Sequence, residues 1–147
     1  MDLTQSITFQ MTRCGLLLRQ MTAKRMKQST IGLTPEEATL LNQLWDQDRQ
    51  TLSELGQWAL KGASTVTRQV DSLERKGFIE RQHSQQDRRN VYVTLTEKGK
   101  SIEQQFRHDI GLNSLDASIP GISPEELATT LSVIQRVRDF AAAELNE

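Results

Sequence analysis

The sequence predicts a mainly α fold carrying one small β-hairpin, and three observations predict it. Thr34-Pro-Glu-Glu37, Thr51-Leu-Ser-Glu54 and Ser123-Pro-Glu-Glu126 each place a hydroxyl residue three positions before a glutamate, the capping-box signature of a helix start. Apolar residues recur every three to four positions over most of the chain, the spacing of helices with one buried face. Only Phe78–Leu95 departs from that period, with two short alternating runs around a polar loop. From Thr51 to Thr96 the order is short helix, turn, helix, strand, basic loop, strand. That is a winged helix-turn-helix.

Taken in order, residues 5–28 read as a helix with Ile7, Met11, Cys14, Leu18 and Met21 at 4-3-4-3 spacing, an apolar seam that asks for a partner helix. Gln28–Gly32 ends it. Thr34 caps the next helix, with Pro35 at its first position and Leu41, Leu44 and Trp45 on its apolar face. Thr51 caps a short helix with Leu52, Leu55 and Ala59 inward, and the chain turns near Lys61-Gly62. Ala63 to Lys76 forms the following helix, with Val66, Val70 and Leu73 on one face and Ser64, Arg68 and Arg75 near the other, Asp71 and Ser72 beside them. Gly77 stops it. Phe78–Arg81 and Asn90–Leu95 are the hairpin strands, with His83–Arg89 as the wing loop. Thr96 caps a helix with Ile102, Phe106 and Ile110 inward. Gly111–Gly121 is a loop, and the last helix begins at Ser123, with Leu127, Leu131, Ile134, Ala141 and Leu145 at helical spacing.

The chain of 147 residues is one domain's worth, expected at 1–147, with enough apolar material for a core without disulfides or metals. No apolar run approaches about 18 residues, so no membrane partner is expected, and the first residues lack the pattern of a signal peptide. A single cysteine fits a reducing compartment, and a cytoplasmic location is expected. His83 and His108 have no partners at metal-ligand spacing, so no metal and no cofactor is expected. No nucleophile elbow, phosphate loop or Cys–His pair is present, and the chain is not expected to be an enzyme. Net charge is −1, but its distribution is uneven: residues 61–100 carry 9 Lys+Arg against 5 Asp+Glu, and residues 101–147 carry 3 against 8. The positive charge gathers where the helix-turn-helix and wing fall, and such a patch steers polyanions.

A helix of about 14 residues fits the DNA major groove, where base edges present distinguishable donors and acceptors. Small Ser64, Thr65 and Thr67 near the start of Ala63–Lys76 let the backbone approach phosphate, and Arg68 has the reach to bond a guanine edge in bidentate fashion. Arg75 extends the same face. At the wing tip, Arg88 and Arg89 suit insertion into a narrow minor groove. Asp87 cannot favour DNA itself; its expected role is to orient a wing arginine through a charge-assisted hydrogen bond. Taken singly, a Ser/Thr/Arg helix face and a pair of loop arginines are ordinary solvated surface. Their conjunction in one uninterrupted order points to duplex DNA. Winged helices also serve as protein-interaction modules, which is the rival expectation.

The same residues resemble the MarR (multiple antibiotic resistance regulator) family. Ser64–Gly77 is similar to that family's recognition helix. Asp87-Arg-Arg-Asn-Val-Tyr-Val-Thr-Leu-Thr96, ahead of Glu-Lys-Gly99, matches its wing signature. The resemblance implies a winged helix-turn-helix DNA-binding lobe over 34–100, with helical dimerisation regions at 1–32 and 101–147. It implies a homodimer gripping a pseudo-palindromic operator, with Arg89 in the minor groove and Ser64, Thr65, Thr67 and Arg68 facing the major groove. It also implies a repressor released by a small aromatic or phenolic effector bound between the dimerisation helices and the lobe.

The chain departs from the family at Ala59-Leu-Lys-Gly62, where a Ser/Thr cap is usual, so the start of the recognition helix is less firmly set by side chains. One branch of the family senses peroxide through a cysteine in the first helix with nearby tyrosines. Cys14 is therefore a redox candidate, although the first helix has no tyrosine and Cys14 falls in the apolar seam, where a buried thiol acts as a small hydrophobe. Trp45 continues the Leu41–Leu44 face and reads as core; Trp58 leaves its helix's apolar face, which implies partial exposure.

Overall fold

A computed structural model describes residues 2–59, 62–87, 89–110 and 119–146. The chain divides into two compact units, Met1–Ile110 and Gly111–Glu147. In the first, a 3-10 turn at Leu3–Gln5 leads into α1 (Ile7–Gln28), then α2 (Pro35–Asp46), β1 (Gln50–Thr51), α3 (Leu52–Ala59), α4 (Ala63–Arg75), β2 (Ile79–His83), β3 (Val91–Leu95), α5 (Glu97–Ser101) and α6 (Glu103–Ile110). In the second, α7 spans Pro124–Leu145. No described helix is long and apolar enough to cross a membrane.

The capping boxes form as the sequence predicts. Thr34 Oγ1 accepts from the Glu37 amide at 3.2 Å, and Thr51 Oγ1 accepts from the Glu54 amide at 3.1 Å while Glu54 returns a bond to the Thr51 amide at 3.0 Å. Ser123 and Glu126 reciprocate at 3.1 and 2.8 Å. The core of the first unit is built from Leu40, Leu41 and Leu44 of α2, Leu55 of α3, Val66, Val70 and Leu73 of α4, Ile79, Val93 and Leu95 of the strands, and Phe106 and Ile110 of α6. Trp45 packs against this cluster, 5.1 Å from the Phe106 ring, and donates Nε1–H to Gly99 O at 2.9 Å.

The hairpin is a three-stranded sheet in the order β1-β3-β2, with Ile79 opposite Leu95 and Gln50 opposite Val93. β1 was invisible to periodicity because two polar residues have no alternation to read. Arg49 enters it at φ 59°, and Asp48 Oδ1 accepts from both the Arg49 and Leu95 amides, at 2.8 and 2.9 Å. Gln50 is buried because its amide bonds the Gln43 and Gln47 carbonyls. Two further boundaries differ from expectation. β2 runs to His83 and β3 starts at Val91, so the wing loop falls one residue later than expected without shortening, and the helix after Thr96 breaks at Ile102, whose amide reaches Lys98 O at a stretched 3.3 Å.

The helix expected at 5–28 starts at Ile7 after the 3-10 turn. Along α1 only Met26 is buried; Ile7, Leu16 and Leu17 are more than half exposed. Cys14, expected within an apolar seam, is exposed, because no described element of its unit covers that face. Arg13, Leu17 and Leu18 border the same shallow hollow as Cys14. α1 is tied at its far end, where Arg25 Nη1 donates to Ile110 O at 2.7 Å and Ser29 Oγ to Asp109 Oδ2 at 3.2 Å. In the second unit, α7 buries no residue: Leu127, Leu131, Ile134, Phe140 and Leu145 are all exposed.

Candidate nucleic-acid interface

The candidate interface is built on α4, so what fixes α4 decides the site. Its inner positions Val66, Val70 and Leu73 are completely buried. Ser64, Arg68 and Arg75 are exposed on the opposite side, and Thr65 and Thr67 are half-buried along its flanks. Among the described residues neither Arg68 nor Arg75 has an ion-pair partner. At its start, Gly62 supplies no side-chain cap; its carbonyl accepts from the Thr65 and Val66 amides.

The other end is held far more firmly. Gly77 adopts φ 82°, the Phe78 amide reaches back to Leu73 O at 3.1 Å and the Gly77 amide to Glu74 O at 3.0 Å. Only a residue without Cβ takes that left-handed position freely. Lys98 Nζ donates to Lys76 O at 2.7 Å, placing a cation at the negative end of the helix dipole. On the flank toward α2, Glu37 is only 4% exposed and its carboxylate accepts from Ser72 Oγ at 2.9 Å and Lys76 Nζ at 2.7 Å. Lys76 Nζ also reaches Gly32 O at 2.9 Å. On the flank toward the wing, the Arg81 guanidinium of β2 bonds Glu74 at 2.9 Å and Asp71, while its amide donates to Glu74 at 3.0 Å. Ser72, expected beside the outward residues, lies half exposed on the flank toward α2.

The wing tip is pinned by short-range bonds. Ser84 Oγ accepts from the Gln86 and Asp87 amides, each at 3.3 Å, and the Ser84 amide bonds Asn90 O at 3.1 Å. Asp87 Oδ1 accepts from the Arg89 backbone amide at 3.0 Å, so it fixes the turn on which the exposed Arg89 side chain stands. Arg88 lies outside the described residues, as do the Trp58 and Ala59 side chains. At the sheet's other edge, Arg49 stacks its guanidinium 3.9 Å from the Tyr92 ring centroid. Three residues that shape this interface, Glu37, Arg81 and Arg49, carry no sign of that role in a helix or strand period. Glu37 was recognised as a cap, but its double use has no one-dimensional signal; Arg81 had one, a cation ten residues after Asp71 and seven after Glu74 across a glycine turn.

Between α1, the loop that follows it and α6, Met26, Ile31, Leu33, Phe106 and Ile110 line a crevice with no room for even a water molecule. Ligand pockets run to roughly 300–1,000 Å³, so a ligand there requires the walls to part. Among the described residues no group of His, Cys, Asp and Glu could hold a metal.

A helix-turn-helix with an outward arginine-bearing helix and a sheet-borne wing defines the class of winged helix-turn-helix regulators. The sequence pattern of the MarR family matches residues 33–91. The HTH-type transcriptional regulator MhqR of Bacillus subtilis is 31% identical over 106 residues, 72% of this chain and 72% of that protein. YkoM of Bacillus subtilis, also described as an HTH-type transcriptional regulator, is 33% identical over 95 residues. That match covers 65% of this chain but less than two thirds of YkoM, 61%. Among solved structures, reduced AbfR bound to DNA superposes with a TM-score of 0.77 at 25% identity, covering 99% of this chain and 95% of that one. AbfR is a protein of Staphylococcus epidermidis. The apo form of MarR from E. coli superposes with a TM-score of 0.73 at 20% identity, over 90% and 96% of the two chains. The chain belongs to the MarR family.

Proposed function

We propose that this chain is a homodimeric transcriptional repressor that grips a pseudo-palindromic operator and lets go when a small effector binds. The observation that carries DNA binding is the polarity of α4: three residues sealed into the core, and Ser64, Arg68 and Arg75 outward with both guanidinium groups unpaired among the described residues. DNA bound to AbfR supports the same reading. Residues 34–100 form the DNA-binding lobe; 1–32 and 101–147 form the dimerisation region. Ser64, Thr65, Thr67 and Arg68 face the major groove, Arg75, Arg88 and Arg89 add phosphate and minor-groove contacts, and Asp87 sets the wing turn.

Homodimerisation draws support from the apolar rows of α1 and α7, which are exposed on the single chain. Each large aliphatic side chain buried against a second copy contributes about 1.5–3 kcal/mol. Two lobes then meet successive major-groove faces about one helical turn apart. The effector is a small aromatic or phenolic acid, and the crevice between α1, the loop that follows it and α6 is its proposed entry point.

The test is a gel shift on the intergenic DNA upstream of the chain's own gene across a salt series. Operator binding is expected to survive bulk competitor DNA and to weaken steeply as salt rises. No binding at moderate salt would favour the protein-interaction module instead. Sedimentation equilibrium reads the dimer directly.

A second reading is favoured by one observation. Cys14 is exposed on α1, and AbfR is known in reduced, overoxidised and disulfide-formed states. In that reading oxidation of Cys14 releases the operator. Peroxide then abolishes the gel shift of the parent and leaves Cys14→Ser bound; equal behaviour of the two proteins rules it out.

A further inference from the structure

Arg81 lies outside the set of DNA-facing residues, on β2 behind the recognition helix, yet it touches two of that helix's acidic side chains. Its guanidinium bonds Asp71 and Glu74, and its backbone amide takes Glu74's second oxygen. Asp71 and Glu74 are the only carboxylates on α4. Asp71 sits three residues after Arg68 and four before Arg75, the spacings at which oppositely charged side chains on a helix meet. Left to itself, Asp71 would draw both arginines onto its own carboxylate and away from DNA. With the Arg81 side chain only 22% exposed against 49% and 42% for its partners, the arginine is the fixed post and the carboxylates come to it.

Resting on the reading that α4 binds duplex DNA, we propose that Arg81 is a positioning residue of the interface. It holds Asp71 on the wing flank so that Arg68 and Arg75 stay available, and through Glu74 it fixes β2, and with it the wing, to the recognition helix. The forked guanidinium is required, because an ammonium meets one carboxylate well but not two at once. Arg81 itself touches no phosphate in this arrangement.

The experiment measures binding of a duplex carrying the upstream intergenic sequence by fluorescence anisotropy over a salt series. Four full-length proteins are compared: parent, Arg81→Met, Arg81→Lys, and Arg81→Met with Asp71→Asn and Glu74→Gln. Arg81→Met is expected to bind about fivefold more weakly, as the freed Asp71 carboxylate competes for the arginines at the strength of an exposed pair. Arg81→Lys should lose about twofold, and the triple variant should return to within about twofold of the parent. The slope of log affinity on log salt should match the parent in the triple variant, where the arginines are released again. A slope reduced by about 0.9 in Arg81→Met, not regained in the triple variant, identifies a direct phosphate contact and overturns the proposal. So does an affinity unchanged by Arg81→Met, or a loss that the triple variant does not repair. If thermal melts show Arg81→Met unfolded, Arg81→Lys against Arg81→Lys with Asp71→Asn decides by the same criterion. A parent that fails to bind the duplex overturns the DNA-binding reading, a separate result.

Discussion

Replacing Glu37 by alanine should loosen the recognition helix from behind. The carboxylate is almost fully buried and serves Ser72 at 2.9 Å and Lys76 at 2.7 Å. Breaking a fully buried ion pair costs about 3–5 kcal/mol, because the orphaned partner stays desolvated. Here the Lys76 side chain is 35% exposed, so the freed ammonium swings into water and that full cost does not apply. About 1 kcal/mol remains for the pair. The half-buried Ser72 hydroxyl loses its acceptor for about another 1 kcal/mol, and the vacated volume adds a fraction more. The third bond, from the Thr34 amide to Glu37, is already long at 3.5 Å and contributes little. The total is about 2–3 kcal/mol, which in a chain of this length lowers Tm by roughly 4–12 °C. Glu37→Gln keeps the serine bond through its one carbonyl oxygen and the bond from the residue-37 amide to Thr34 Oγ1, and should lose only about 1 kcal/mol. Urea unfolding followed by far-UV circular dichroism, at one protein concentration because dimerisation contributes to stability, measures both. A Glu37→Ala protein within about 0.5 kcal/mol of the parent, the range of ordinary surface changes, would refute the clasp as a source of stability.

Three other outcomes are expected. Gly99→Ala places a Cβ 2.0 Å from the Phe78 carbonyl oxygen, which a backbone shift must relieve; the variant should lose about 1–3 kcal/mol in the same urea assay. Gly62→Ser adds a capping hydroxyl where a Cβ meets nothing within 4 Å, so it should gain about 0.5–1 kcal/mol and sharpen hydrogen-exchange protection at the start of α4. Arg68→Ala should cost about 1–3 kcal/mol of operator affinity and relax base preference, whereas Arg89→Ala should weaken binding more evenly across sequences; competition binding with single-base operator variants separates the two.

The elements that sequence made legible are those with a local cause. Each capping box joins residues three apart, and each was realised. Val66, Val70 and Leu73 were assigned inward from spacing alone, and all are fully buried. What escaped had its cause elsewhere in the chain. Gln50 joins a strand because β3 arrives 43 positions later, and Ser72 finds its acceptor in Glu37 on a different helix. Cys14 shows the converse error. Periodicity reports that a face is apolar, but what covers that face is a property of another surface, and within its own unit nothing described does.

The sheet order has a consequence for association between copies of the chain. With β3 in the middle, β1 and β2 are both edges, each a template on which a neighbouring copy could add a strand. β1 is two residues long, and where it stops the next β3 amide, that of Leu95, is taken by Asp48 rather than left open. β2 carries Glu80, Arg81, Gln82 and His83 in succession, polar or charged on both faces. A sheet that must stand out from the body as a wing is therefore closed to copies of itself, and association between copies need not become aggregation.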